Sequence, residues 1–277
     1  MAVTDWGSNF AAAAVDSLTA YDEILVPRLF EPWAHALLDE LDLSAGLAVI
    51  DVACGPGTVA RLAARRVGAS GRVIACDLSP AMLEVATAKP AIPDAADIDY
   101  RQCPADDLPF QDGTFDLVVC QQGLQFFPDR AGALAEMRRV LKPGGRAGVA
   151  VWAAIEECPF WDALASAVGD VLGKEHEIAF RRGPWGLPEA DELQRLFDSA
   201  GFSDVVVTKQ VKPVVFENGP AQVVATLSAA PVGPQVAALD AGGRAELLAA
   251  AEAALETFVR DGAVHSEAAT HIVRATR

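Results

Sequence analysis

Between residues 48 and 152, apolar runs of strand length alternate with segments of helical periodicity, and this alternation constrains the fold more than any other feature of the chain. The pattern predicts strands over 48–53, 72–76, 98–102, 115–120 and 146–152, with helices over 58–67, 80–88 and 130–141 between them. Several of the strands are continuous apolar runs rather than alternating ones. A strand reads that way when helices cover both of its faces. The succession therefore predicts an α/β fold built on a doubly wound, mostly parallel sheet.

The flanking segments read differently. Residues 10–43 carry apolar groups at helical spacing, with Leu25, Leu29, Trp33, Ala36 and Leu37 on one face and interruptions near Pro27 and Pro32. After Trp152, residues 153–187 have helical spacing in Phe160, Leu164, Val168 and Leu172, then the run Arg181-Arg182-Gly183-Pro184-Trp185-Gly186. A helix over 189–200 ends at Gly201, as a helix C-terminus should. Residues 204–216 are strand-like in Val205, Val207, Val211 and Val215, 220–230 and 243–260 are helical, and 268–275 form a last strand, the seventh. The 277 residues suit one domain with insertions better than two domains. Its parts are N-terminal helices (1–46), a ligand-binding core (47–152), a helical lid insertion (153–187), and the C-terminal part of the sheet with a further helical insertion (188–277).

Apolar residues make up 52% of the chain and charged residues 22%, a mix that buries a large core and excludes disorder. The formal charge of −16 repels a phosphate backbone, and the densest basic stretches are only the pairs Arg65-Arg66, Arg138-Arg139 and Arg181-Arg182. No nucleic-acid partner is expected. No apolar run approaches the roughly 18 residues of a membrane span. Residues 1–10 carry Asp5 and no Lys or Arg ahead of an apolar core, so neither a membrane partner nor a signal peptide is expected, and the protein reads as cytoplasmic. Five cysteines, Cys54, Cys76, Cys103, Cys120 and Cys158, include no C-x-x-C pair and suit small, reduced core residues rather than disulfides or a metal site.

The sharpest local feature is Val49-Ile50-Asp51-Val52-Ala53-Cys54-Gly55-Pro56-Gly57-Thr58, where an apolar strand runs into an acid, then small residues, then a helix. Gly55 and Gly57 let a ligand lie against the main chain at the carboxyl end of a central strand, although a glycine pair also serves a bare turn. Twenty residues beyond Gly57 the second strand ends in Asp77, a carboxylate placed to accept from both hydroxyls of a ribose. Together these features point to a nucleoside. Gly55-Pro56-Gly57-Thr58-Val59-Ala60 also matches the loose dinucleotide pattern, and Asp51 separates the two options. An acid in that cleft repels a diphosphate and attracts an ammonium group. A ligand with a ribose at one end and an amino acid at the other fits, namely S-adenosylmethionine.

With these residues in view, the sequence resembles the class I S-adenosylmethionine-dependent methyltransferases, in particular the small-molecule group of the ubiquinone and menaquinone biosynthesis methyltransferases. The resemblance rests on the stretch from Asp51 to Thr58, on Asp77-Leu78-Ser79-Pro80-Ala81-Met82-Leu83, on Ala105-Asp106-Asp107-Leu108-Pro109-Phe110 with Gly113-Thr114-Phe115-Asp116, and on Val140-Leu141-Lys142-Pro143-Gly144-Gly145. It covers 47–152 well and the rest in outline. It implies a Rossmann-like sheet and S-adenosylmethionine as methyl donor, with S-adenosylhomocysteine as product. It also implies roles: Asp51, Ala53, Cys54, Gly55 and Gly57 around the methionine end, Asp77 on the ribose, Leu78 and Met82 against the adenine, Ala105 and Asp106 at the adenine edge, and Gln121 after the fourth strand. Two residues depart from the family pattern: Ala53 stands where many members have a glycine, and Pro104 where an Asp or Asn is common.

The Leu-Pro-Phe and Lys-Pro-Gly-Gly segments read as structural, the first pinning a loop and the second turning the chain into the next strand. No residue declares itself a catalytic base. His35, His265 and His271 read as structural, His176 between Glu175 and Glu177 is a weak catalytic candidate, and Gln125 stands where related enzymes often have a histidine. An amide is no base at neutral pH. The predicted reaction is in-line transfer of a methyl group to a small apolar or aromatic acceptor, with oxygen, nitrogen and carbon acceptors all open. The lid is expected to choose that acceptor through Phe160, Trp161, His176, Arg181 and Trp185, together with Gln125, unless the aromatics merely pack the insertion onto the sheet. Two other readings stand beside this one. A non-catalytic S-adenosylmethionine-binding relative is one. An NAD(P)-dependent reductase of the short-chain type is the other, and it lacks the Tyr-x-x-x-Lys pair it would need, since Tyr21 is followed at that place by Leu25 and Tyr100 by Pro104.

Overall fold

The computed structural model describes residues 15–230 and 232–277, so the start of the leading helical segment, 10–14, lies outside it. Eight strands form one sheet: β1 (Ala48–Val52), β2 (Arg72–Asp77), β3 (Ile98–Gln102), β4 (Phe115–Gln121), β5 (Leu141–Trp152), β6 (Ser203–Phe216), β7 (Val259–Arg260) and β8 (Ala263–Thr276). Their order is β3-β2-β1-β4-β5-β8-β6, a path of seven strands, with the two-residue β7 paired to β8 beside it. The first five run parallel, while β8 is antiparallel to both of its long neighbours. The doubly wound, mostly parallel, Rossmann-like sheet is present, and β7 is the strand that periodicity did not foresee.

The continuous apolar runs of the central strands are explained by two hydrophobic clusters, one on each face. Val49, Val73, Leu117 and Val119 enter the cluster that holds the leading helices and the Thr58–Val67 helix. Ile50, Ile74 and Val118 enter the opposite one, with the Arg130–Val140 and Ala190–Ser199 helices. Leu25, Leu29, Trp33, Ala36 and Leu37 are all buried. The interruption expected near Pro27 and Pro32 is a wide π turn over Val26–Phe30 that joins the Val15–Leu25 and Glu31–Asp39 helices.

Two boundaries differ from the sequence reading for identifiable reasons. The helix ends at Val140, and Leu141 already pairs with Phe115; by the next pair, Leu117 with Arg146, β4 has advanced two residues and β5 five. Lys142 to Gly145 therefore loop out as a bulge inside β5, so the Pro-Gly-Gly turn lies within a strand rather than before one. β8 starts at Ala263 rather than 268 because His265, Ser266 and Glu267 break the apolar run yet still pair with Val215, Val214 and Pro213. The five cysteines are free and buried. Among the described residues no helix is long and apolar enough to cross a membrane.

Because β1 and β4 are neighbours while their following helices pack on opposite faces, the loops after these two strands diverge. This is the switch point where doubly wound sheets leave a crevice.

Candidate active site at the switch point

A cavity of about 570 Å³ opens at that crevice. Its floor is the turn after β1, where Ala53 (φ 58°) and Gly55 (φ 52°) are both left-handed. Ala53 thus keeps a conformation that glycine adopts without strain, which gives the departure from the family pattern a physical content. Gly57 (φ 80°) shapes the turn from behind the wall: a β-carbon there would lie 2.6 Å from the Tyr100 hydroxyl oxygen.

Asp51, buried at the end of β1, accepts a hydrogen bond at Oδ2 from the Ala60 backbone N–H (2.9 Å), while its buried Oδ1 has no partner. Burial pushes this carboxyl up to about 8, opposed by the Ala60 N–H and reinforced by the charge of Asp77. Asp77 accepts from the Gly55 N–H at Oδ2 and from the Ser79 N–H at Oδ1, both 2.8 Å. It locks the β1 loop to the β2 loop, and burial raises its pKa too. Ser79 then caps the Pro80–Ala88 helix by accepting from the Met82 N–H, which sets Met82 on the wall. Leu78, half exposed, Pro104, Ala105 and Asp106 complete this end, with Cys54 beside them.

The donor set suits the ligand inferred from sequence. Asp51 offers an unsatisfied, buried carboxylate oxygen to an ammonium group, and Asp77 keeps a lone pair on each oxygen for a diol. Leu78, Met82 and Pro104 border a slot for a flat ring. Of the residues assigned above to the donor, Asp51, Ala53, Cys54, Gly55, Asp77, Leu78, Met82, Ala105, Asp106 and Gln121 line one cavity, and Gly57 supports it.

The other end is aromatic and is assembled from distant segments. Tyr21, Phe30 and Trp152 form a chain of ring contacts (5.1 and 6.1 Å between centroids). Trp161, Phe180 and Trp185 form a triangle with sides of 5.6 to 5.9 Å. All six rings line the cavity, and Thr226, Ala229 and Ala230 close it from the C-terminal helices. Gln121 donates from Nε2 to the Phe30 carbonyl (2.8 Å), which leaves its buried Oε1 without a donor.

The remaining acceptor candidates from sequence lie off this wall. Phe160 is fully buried against Phe216 and Trp161. Gln125 is buried behind the wall, donating to Gln122. Arg181 is held by Asp162 and Glu177. His176 lies on the Lys174–Arg182 helix, and none of the four histidines lines the cavity. Sequence reasoning missed Phe30, Trp152, Phe180 and the 226–230 segment. Of these only Trp152 left a signal, as an aromatic at the carboxyl end of a strand.

Comparison with known proteins agrees with this geometry. The methyltransferase-domain family matches residues 50–149. The ubiquinone/menaquinone biosynthesis C-methyltransferase UbiE of Xylella fastidiosa is 35% identical over 193 residues, covering 65% of this chain and 76% of that one. The demethylmenaquinone methyltransferase of Lactococcus lactis is 33% identical over 187 residues, covering 64% and 74%. Among solved structures, YcgJ of Bacillus subtilis superposes with a TM-score of 0.58 at 19% identity over 88% of this chain and 97% of that one. Phosphoethanolamine N-methyltransferase 2 of Haemonchus contortus, in complex with S-adenosyl-L-methionine, reaches 0.59 at 18% identity over 95% and 57%. These two share the fold. On the strength of its sequence relatives, this chain belongs to the class I S-adenosylmethionine-dependent methyltransferases.

Proposed function

We propose that the enzyme methylates a small, planar, apolar acceptor held between the leading helices and the 153–187 segment, in line with a donor seated on the β1, β2 and β4 loops. The observation that carries this reading is the continuity of one cavity from Asp51 and Asp77 to the six-ring aromatic end. S-adenosylmethionine, when bound, supplies a methyl group on a sulfonium, an electrophile that needs no activation by the protein.

The protein's contribution is then binding and orientation. Asp51 takes the ammonium end, Asp77 the ribose, and Leu78, Met82, Pro104 and Ala105 the adenine. Gly57 and the Asp77 bridge from Gly55 to Ser79 hold the loop in shape before the donor arrives. Trp152, Trp161, Phe180 and Trp185 exclude water and fix the plane of the acceptor. Holding two reactants in line removes roughly 7–11 kcal/mol of barrier, enough for a reaction without a dedicated base. The names of the relatives, which speak of quinone biosynthesis, agree with a planar ring as acceptor.

The test is calorimetric titration with S-adenosylhomocysteine, followed by a mass-spectrometric screen of small aromatic acceptors with S-adenosylmethionine. Binding of the product and a mass gain of one methyl on a planar acceptor are expected. Binding without methyl transfer to any acceptor, across oxygen, nitrogen and carbon nucleophiles, would favour the non-catalytic reading.

A further inference from the structure

The charges around the cavity are one-sided. Its lining includes four carboxylates, Asp51, Asp77, Asp106 and Asp129, and among the described residues no Lys, Arg or His. Residues 1–14, the part of the leading segment outside the described residues, contain none of these three types either. Lys89 and Arg130 touch wall segments from outside, each through hydrogen bonds, although the buried Arg130 Nε has no partner. Lys89 bonds the Pro56 carbonyl (2.8 Å) and Asp22 (2.7 Å). Arg130 donates to the carbonyls of Gln125 and Gly186. The acceptor end itself offers ring faces and two buried polar atoms without a partner, the oxygen Gln121 Oε1 and the nitrogen Trp185 Nε1.

This arrangement selects among acceptors. A carboxylate or phosphate on the acceptor would find no cation in the lining to receive it. A phenol must lose its proton to become a good nucleophile, and the lining has neither an imidazole to take that proton nor a cation to hold the phenolate. An aromatic amine meets neither obstacle: its conjugate acid is weak, so it is neutral at pH 7 and attacks with its own lone pair, and aromatic faces favour the positive charge it acquires. An N–H is also the donor that Gln121 Oε1 lacks. The family match ends at residue 149, while Trp152, Trp161, Phe180 and Trp185 lie beyond it, so the family model does not bear on these four rings.

Resting on the methyltransferase reading above, we infer that the acceptor is an aromatic amine on a planar apolar body, and that the reaction is N-methylation. In the transfer the nitrogen lone pair forms the new N–C bond, the S–C bond breaks, and its electron pair stays on sulfur as the sulfonium becomes a thioether. The positive charge passes to nitrogen. A primary or secondary amine then releases a proton to water, and a tertiary amine has none to release.

Trp152, Trp161 and Trp185 line the cavity, so intrinsic tryptophan fluorescence reports its occupancy. The protein saturated with S-adenosylhomocysteine is titrated with naphthylamine, naphthol and naphthoate, which share a ring system and differ in the group attached to it. In parallel each probe is incubated with S-adenosylmethionine and its mass followed. The amine is expected to bind roughly tenfold or more tightly than naphthoate, the factor that ~1.4 kcal/mol gives, and to be the one probe that gains a methyl. Naphthoate binding as tightly as the amine, or methyl transfer to naphthol and not to the amine, overturns the amine assignment while leaving the methyltransferase reading in place. Failure of S-adenosylhomocysteine itself to bind takes both down.

Discussion

The two ends of the cavity are made by opposite strategies. The donor end draws on one stretch, from Asp51 to Asp106, with Gln121, bonded to Phe30, standing where the two ends meet, and its fixed hydrogen bonds run from main-chain N–H groups of neighbouring loops to carboxylates. The acceptor end draws on residues 21–30, 126–152, 161–185 and 226–230, and it consists of side-chain surface. A site built from backbone and short loops imposes a spacing on the sequence, because each turn needs its own residue at its own place. A site built from packed rings imposes only a total area and shape, which many arrangements of aromatic residues provide.

If the donor end is a rigid, prearranged frame, its loss should be steep. Asp77→Ala removes a carboxylate that fixes two loops and that we assign to the ribose. Two hydrogen bonds to a charged acceptor at ~1.5 kcal/mol each are worth ~3 kcal/mol. The expected result is S-adenosylhomocysteine binding weakened by about a hundredfold in calorimetry. Unchanged affinity in a folded variant would break the contrast at its stronger end. NAD should also fail to stabilise the protein in a thermal-shift comparison above about pH 8, where its diphosphate would meet an ionised Asp51.

The second effect is one of pH. Asp51 has a folded-state pKa near 8, far above the roughly 3.9 of an unfolded aspartate. A raised pKa means stability that is fully present below the unfolded value and lost as pH rises through the folded one, so the free protein should lose stability between about pH 4 and about pH 8. An ammonium group bound at Asp51 needs the ionised form. The affinity for S-adenosylhomocysteine should therefore rise with pH up to about 8, by as much as about tenfold per unit. Asp51→Asn should flatten both slopes and leave the unliganded protein at least as stable as the wild type at neutral pH. A pH-independent affinity in the wild type would remove Asp51 from the ammonium site.

The same asymmetry governs what the sequence could disclose. The order of strands and helices through residue 152 follows from periodicity because each central strand is buried on both faces, and Asp51, Gly55 and Asp77 are legible because a left-handed turn and a strand-end carboxylate occupy fixed places. Phe30 and Phe180 were invisible as wall residues: a phenylalanine on an amphipathic helix reads the same whether it faces a core or a cavity. Arg181 and His176 drew attention by type, yet Arg181 is committed to Asp162 and Glu177, a pairing across two helices that no local pattern encodes.

At the acceptor end a single truncation should cost less, because seven other cavity-lining rings remain. Trp185→Ala is expected to lower kcat/KM for the acceptor by about tenfold, in keeping with ~1–2 kcal/mol for one aromatic surface, with affinity for S-adenosylhomocysteine unchanged. His176→Ala, off the wall, should change neither. Equal effects of the two substitutions would mean that the 153–187 segment acts through its fold rather than through the rings it presents.

The smallest effect probes the frame itself. Ala53 holds φ at 58°, a region that costs an L-residue roughly 1–2 kcal/mol and costs glycine little. Its β-carbon also requires glycine at 123, since a β-carbon added there would come within 2.8 Å of it. Ala53→Gly relieves the strain but gives back about 0.5–1 kcal/mol through the greater freedom of glycine in the unfolded chain. The net expectation is a gain of about 0.5–1 kcal/mol, or a rise in Tm of a few degrees for a chain of this size. Because the turn already has its ligand-ready shape with alanine, donor affinity should stay within about twofold. A stabilised variant that also bound S-adenosylhomocysteine much more tightly would show that alanine distorts the turn, and the donor end would then be less prearranged than its hydrogen bonds to Asp51 and Asp77 imply.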